Sequence, residues 1–285
     1  MAYPYVTDAI NAVLGTHIHL PIAMFGLWVA IAIVVAIQFT RLEVERLIAA
    51  ETLRLPPDQQ AKGLVMDLAF VGVLSGIAGA KLFDAIEQPQ KLLADPLSVI
   101  FSTGGFSIYG GLIIGCIAGI LFIKRKNIAL LPMLDAVAPA LAIGYGIGRL
   151  GCQFSGDGDW GKPAVMELKP EWLPDWLWAQ TYANNVLGVE IPEPGVYPTP
   201  LYEAVVAAFI FAILWRLRKK LTISGHLFCC YLILSGMARW LIEYIRINPL
   251  YEVVGVLLSQ AQIISMGLIL LAVVLAMVLK RQSSL

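Results

Sequence analysis

Residues 130–151 read LLPMLDAVAPALAIGYGIGRLG. The last six, Gly146 to Gly151, spell G-x-G-x-x-G. That spelling marks a dinucleotide loop only between a strand and a helix of a soluble βαβ unit. The run before it, LLPMLDAVAPALAIGY, is apolar, of helical length and not a β-branched strand. The nucleotide reading therefore fails. The stretch reads as a membrane helix that ends in glycines beside one arginine, Arg149.

Composition agrees. Of 285 residues, 59% are hydrophobic and 14% charged, with mean hydropathy +0.77. Soluble domains carry about 25% charged residues. Net charge is zero, so nothing marks a nucleic-acid partner. Three His and four Cys are too scattered to suggest a metal site or a disulfide framework. The acids of SGDGDWG (155–161) lack the ligand spacing and terminal Glu of an EF-hand. No cofactor is expected.

A membrane helix needs about 20 apolar residues. Seven spans are predicted, near 20–39, 64–86, 107–123, 128–150, 200–216, 225–245 and 259–279. The N-terminal stretch lacks the basic region of a signal peptide, so the first span is expected to stay as a membrane helix. The expected fold is an all-α polytopic membrane protein, a single integral membrane domain over 1–285.

Basic residues set the orientation. Arg41, Arg46, Arg54 and Lys62 lie in one loop. Lys124 to Lys126, then Arg216, Arg218, Lys219 and Lys220, then Lys280 and Arg281 occupy the alternate ends. The positive-inside rule puts these in the cytoplasm and the N-terminus outside. Loop 41–62, with Pro56-Pro57, reads as a cytoplasmic surface helix. The insertion 152–199 then falls outside. It carries Trp160, Trp172, Trp176 and Trp178, which favour the headgroup level, so it reads as a small extracytoplasmic cap. No fixed-period repeat and no matched pair of broken helices suggests a transporter.

Charges within spans need a partner or a polar cavity. The sixth span contains Arg239, Glu243 and Arg246 at offsets of four and three, along one helical face. Arg149 ends the fourth span at a similar predicted depth. Arginines gathered toward one leaflet suit a phosphate, because the guanidinium fork matches its oxygens. Tyr202 and Glu203 open the fifth span. Glu203 reads either as an interfacial acid at a helix N-terminus or as a group that orients an arginine. Tyr109, bracketed by Gly104, Gly105, Gly110 and Gly111, alone reads as an interfacial aromatic.

Several segments taken in order resemble one family, the prolipoprotein diacylglyceryl transferases of bacterial membranes. Gly148-Arg149-Leu150-Gly151, then Gly156-Asp157 and Trp160-Gly161, resemble its signature. Phe25-Gly26, Gly79 to Phe83, GGFSIYGGL (104–112), Leu134-Asp135, Pro198 to Glu203, Arg239 to Arg246 and Ala261 to Ser265 resemble its other elements. The resemblance implies transfer of a diacylglyceryl group from phosphatidylglycerol to the lipobox cysteine of a prolipoprotein signal peptide, with release of glycerol phosphate. It implies a bacterial cytoplasmic (inner) membrane protein whose active site faces the outer leaflet, among membrane lipids. Carried onto this chain, Tyr109, Arg239 and Glu243 become the catalytic candidates. Arg149, Arg239 and Arg246 become the headgroup ligands, with Tyr202, Glu203, Gly148, Gly151 and Asp157 in support.

The chain departs from the pattern at several places. Tyr109 stands for a family His, and an unperturbed tyrosine has a pKa of ~10. Cys152 stands for Asn and one extra residue follows it. Pro200, Lys81 and Ala261 replace Gln, Arg and Gly. Cys152 reads as a small packing residue rather than an activated thiol. The competing reading is a lipid-binding protein of the same fold without this activity, and a small transporter is a third.

Overall fold

The computed structural model describes residues 2–95, 107–253 and 255–283. The chain forms two compact units, Met1–Phe39 with Val137–Leu285, and Thr40–Ala136. Among the described residues seven helices are long and apolar enough to cross a membrane, and the protein is a polytopic, mostly helical membrane protein.

The first unit begins with α1 (Val6–Leu14) and the first part of α2 (Met24–Ala49). It continues with the later part of α6 (Leu130–Ser155), α7 (Asp175–Trp178), α8 (Thr199–Leu217) and α9 (His226–Ile242). A 3-10 turn, Glu243–Ile245, a hairpin of β1 (Leu250–Val253) and β2 (Val256–Ser259), and α10 (Gln260–Ser283) complete it. Helices approach closely where side chains are small. A Cβ on Gly146 would lie 3.0 Å from Ala207 Cβ on α8, and one on Gly151 would lie 3.0 Å from Trp28 Cβ on α2. Thus the glycines of GIGRLG serve helix packing, which is their common use in membrane proteins. Gly148 has nothing within 4 Å of such a Cβ. Elsewhere large apolar side chains such as Phe209, Leu270 and Leu271 point outward.

Between α6 and α8 runs the Trp-rich insertion, built mostly of turns with a small core of Ala2, Tyr182 and Val196 against Trp160 and Ile191. The N-terminus is tied to it by Ala2 N–H to Ala183 C=O (2.7 Å). Burial pushes the Tyr182 phenol well above its ordinary pKa, and its hydroxyl donates to Gln153 Oε1 (2.8 Å).

In the second unit α3 (Ala61–Glu87), α4 (Pro89–Ala94) and α5 (Ile108–Arg125) follow the end of α2 and precede α6. Here α3 and α5 touch backbone to backbone. A Cβ on Gly110 would come within 2.3 Å of Gly79 C=O, so only glycine fits. Ser107 caps this contact by donating its hydroxyl to Glu87 Oε1 (2.7 Å).

Three expectations are corrected. Loop 41–62 is not a separate surface helix: α2 runs on to Ala49, held by Arg41–Glu45 (2.7 Å) and Arg46–Glu43 pairs at helical spacing. The fourth span does not stop at 150. It gains a further turn to Ser155, where Gly156 (φ 63°) takes the left-handed conformation that closes a helix. The sixth helix does not carry Arg246, because the backbone tightens at Glu243 and is extended at Arg246 (φ −85°, ψ 155°). The hairpin at 250–259 was not foreseen.

Candidate active site

Arg149 projects from the last turns of α6. Its Nε donates to Tyr145 Oη (3.0 Å), one turn earlier, and lies 2.6 Å from Glu203 Oε2 on α8. Its Nη1 pairs with Asp159 and reaches Cys152 Sγ at 3.6 Å. The Tyr145 ring lies 5.3 Å from the guanidinium, a cation–π contact on a third side.

Glu203 is the hub. Its side chain is 4% exposed, and it meets three guanidiniums: Arg149, Arg239 Nη1 (3.1 Å) and Arg246 Nη1 (3.4 Å). A carboxylate this deeply buried is tolerable only when charge and hydrogen bonds satisfy it. The placement follows from local sequence. Pro198 and Pro200 lack N–H groups and suit the start of α8, and Thr199 Oγ1 donates to Asp159 C=O (2.7 Å). This fixes the first turn of α8 against the insertion and sends Glu203 inward.

Asp159 divides its oxygens between Arg149 and Arg246 (Oδ1 to Nη2, 2.9 Å). Burial alone would raise its pKa. The adjacent Arg149 and Arg246 outweigh that and hold the carboxyl below its usual range. Arg246 is positioned by backbone pairing with Gly161, helped by Lys162 N–H to Ile245 C=O (2.7 Å). Glu243 lies 3.1 Å from Arg239 Nη2, and Asn248 Nδ2 donates to its other oxygen.

Three arginines and three carboxylates thus interlock, with balanced formal charge. The arginines are not equivalent. Arg149 and Arg246 are 11% and 9% exposed, whereas Arg239 is 29% exposed. Among the described residues, Arg149 Nη2 and Arg239 Nε have no hydrogen-bond partner, and Arg246 Nε is buried without one. Such donors, preorganised by carboxylates on other elements, can receive an anionic oxygen without further ordering.

Cys152, Asp157 and Asp159 bring potential metal-ligating atoms within 4.8 Å of one another. However, the Arg149 guanidinium contacts both Cys152 Sγ and Asp159 Oδ2. The position already holds a cation, which makes it unsuited to a metal ion.

The structure therefore brings together Arg149, Glu203, Arg239, Glu243 and Arg246 of the residues expected from sequence. Asp157 accepts the Asp159 N–H (3.3 Å) and stands beside the Cys152 thiol, next to the arginine network rather than in it. Tyr202 lies outside the ionic network and donates its hydroxyl to Leu177 C=O on α7. Tyr109 is the second residue of α5 and belongs to the other unit; it is 39% exposed. Gly104 and Gly105 lie outside the described residues. Sequence reasoning missed Asp159 and Tyr145. The i,i+4 spacing of Tyr145 and Arg149 was the available signal for the second.

The family model described as prolipoprotein diacylglyceryl transferase matches residues 13–278. A phosphatidylglycerol–prolipoprotein diacylglyceryl transferase of Clostridium tetani is 30% identical over 210 residues, covering 73% of this chain and 78% of its own. One from Oceanobacillus iheyensis is 29% identical over 260 residues, covering 90% and 83%. One from Bacillus cereus is 28% identical over 262 residues, covering 92% and 89%. With the family model matching residues 13–278, the chain belongs to the prolipoprotein diacylglyceryl transferase family.

Proposed function

We propose that this protein transfers a diacylglyceryl group from phosphatidylglycerol to the lipobox cysteine of prolipoproteins in the bacterial cytoplasmic membrane. The observation that carries the reading is the set of three arginines locked by Glu203, Asp159 and Glu243. The acceptor thiolate attacks the glyceryl carbon bonded to the phosphate oxygen. A C–S bond forms, the C–O bond breaks with its electron pair passing to that oxygen, and glycerol phosphate leaves. Arg149 and Arg239 stabilise the developing charge. Glu203 and Glu243 hold Arg239 in place. Arg246 and Asp159 hold the far side of the site.

Tyr109 is assigned to the thiol side, where the resembled pattern has His. A phenol in place of an imidazole serves as a base only under strong positive charge, and otherwise as a hydrogen-bond donor. The positive-inside pattern supports an outer-leaflet site, an outside N-terminus and an extracytoplasmic insertion at 152–199.

The test is transfer from labelled phosphatidylglycerol to a lipobox peptide by purified protein. Lipidated peptide is expected. A folded preparation that binds phosphatidylglycerol yet gives no product, with no complementation in cells, would favour the lipid-binding reading instead. Tyr109→Phe should lose most activity; full activity would remove Tyr109 from the proton path.

A further inference from the structure

The insertion and the ends of α6 and α8 line an open cavity of ≈560 Å3, reached from the arginine cluster along α6. This is within the size range of small-ligand sites. Gln153, Trp176, Gln180, Thr181, Glu193 and Leu201 are among its lining. The proposed function makes no use of it.

Its chemistry differs from that of the arginine site. Among the described residues of its lining, Glu193 is the charged group and none is a cation. A phosphate would meet a carboxylate and no guanidinium there, so the cavity does not suit a lipid headgroup phosphate. What it offers is amides and apolar surface. Gln153 Nε2 donates to Gln180 Oε1 (2.7 Å), and Gln180 Nε2 donates to Trp176 C=O (2.8 Å). Each amide nitrogen keeps a second hydrogen. Thr181 Oγ1 has no partner among the described residues. Donors and acceptors beside an exposed indole suit an extended, uncharged polypeptide.

Position gives the register. Gln153 follows Arg149 by four residues on α6, so the two share a helix face about 6 Å apart along the axis. An extended chain covers about 3.3–3.6 Å per residue. A cysteine attacking at the arginine site would place residues two or three positions along the extended chain in this cavity. Those after the cysteine are the ones that leave the membrane, on the side where the insertion is proposed to lie.

We propose that the cavity is the seat for the acceptor polypeptide just after its acceptor cysteine, and that Gln153, Thr181 and Trp176 select neutral residues there. This rests on the transferase reading for the identity of the polypeptide.

The test uses two fluorescent lipobox peptides and the full-length protein in detergent, without phosphatidylglycerol. One peptide ends at the cysteine as an amide; the other extends four residues further. Binding is read by anisotropy. The longer peptide should bind about tenfold more tightly to the wild type. Thr181→Arg, which fills the cavity with bulk and charge, should erase that advantage and leave the short peptide unchanged. Trp176→Ala, a mostly exposed position, should reduce the advantage and serves if Thr181→Arg does not fold. Equal affinity of both peptides for the wild type, or equal weakening of both by the variants, would overturn the inference. Because no turnover is needed, a length-dependent affinity without transfer would count against the transferase reading alone.

Discussion

Arg149 Nε lies 2.6 Å from Glu203 Oε2, and this pair joins the end of α6 to the first turns of α8. Both side chains are nearly buried, and Glu203 also neutralises Arg239 and Arg246. Removing one partner of a buried pair costs about 3–5 kcal/mol, because the remaining charge is stranded. Glu203→Gln should therefore lower thermal stability in detergent and abolish transfer. A variant with wild-type melting and wild-type rate would mean that the hub does not organise the site.

The two acids of the GDGD segment should separate cleanly. Asp159 bridges two arginines, whereas Asp157 accepts a backbone N–H and neighbours the Cys152 thiol. Asp159→Asn should reduce kcat/KM by about tenfold or more, since a shift in guanidinium placement weakens transition-state contacts. Asp157→Asn should stay within about threefold of wild type. The opposite ranking in a transfer assay would return the role to Asp157.

The Asp159 carboxyl also sets a pH dependence. Its pKa is depressed in the folded state by Arg149 and Arg246, despite the opposing effect of burial. A depressed acid stabilises the fold fully above the unfolded value of ~3.9. That contribution is lost as pH falls through the lower, folded value. The melting difference between wild type and Asp159→Asn should therefore be largest near neutral pH and shrink below about pH 4. A difference that grows on acidification would contradict this sign.

Much of this was readable from residues alone. The seven spans follow from apolar length, and Arg149, Glu203, Arg239, Glu243 and Arg246 stood out as charges in an apolar setting. What one chain's letters hide is three-dimensional register. The signature reading named Asp157, and the acid that pairs with the arginines is Asp159, two positions on. The letters alone also do not show that α6 runs on to Ser155 and closes at left-handed Gly156. The Arg239–Arg246 segment looked like one helix face. It meets the site because the helix stops, and Arg246 comes in on an extended backbone paired with Gly161. Tyr202 is a supporting candidate because Pro198 to Glu203 resembles a family element. Its hydroxyl donates to the carbonyl of Leu177, a partner the letters do not name.

In the second unit, Gly79 and Gly110 give a stability test independent of the arginines. A Cβ on Gly79 would lie 2.5 Å from both Gly110 C=O and Ile114 Cβ. Neither is the far end of a flexible side chain, so α3 and α5 must separate. Gly79→Ala should destabilise the protein by about 1–3 kcal/mol, the usual cost of overpacking. Thermal unfolding in detergent checks this, and an unchanged midpoint would show that the two helices are not in contact.

Arg149→Lys tests whether the site needs a guanidinium or only a positive charge. Arg149 uses Nε toward Glu203 and Tyr145, and Nη1 toward Asp159. These partners sit on α8, α6 and the insertion, so a planar fork is needed to span them. A lysine ammonium is a point charge on a flexible stem and cannot reach all three in that geometry. It would also leave no oriented donor like Nη2 for the substrate phosphate. Transition-state contacts of this type are worth about 10²–10³ in rate, so kcat should fall by that order. If Arg149 acts chiefly on the leaving phosphate, KM for phosphatidylglycerol should change much less than kcat. Arg239→Lys should fall on the other side of this division. Arg239 is the most exposed of the three, so its loss should weaken ground-state headgroup binding as well and raise KM together with the drop in kcat. Steady-state kinetics with phosphatidylglycerol varied at saturating peptide distinguishes the two. Lysine restoring near-wild-type kcat at position 149 would show that charge alone suffices there.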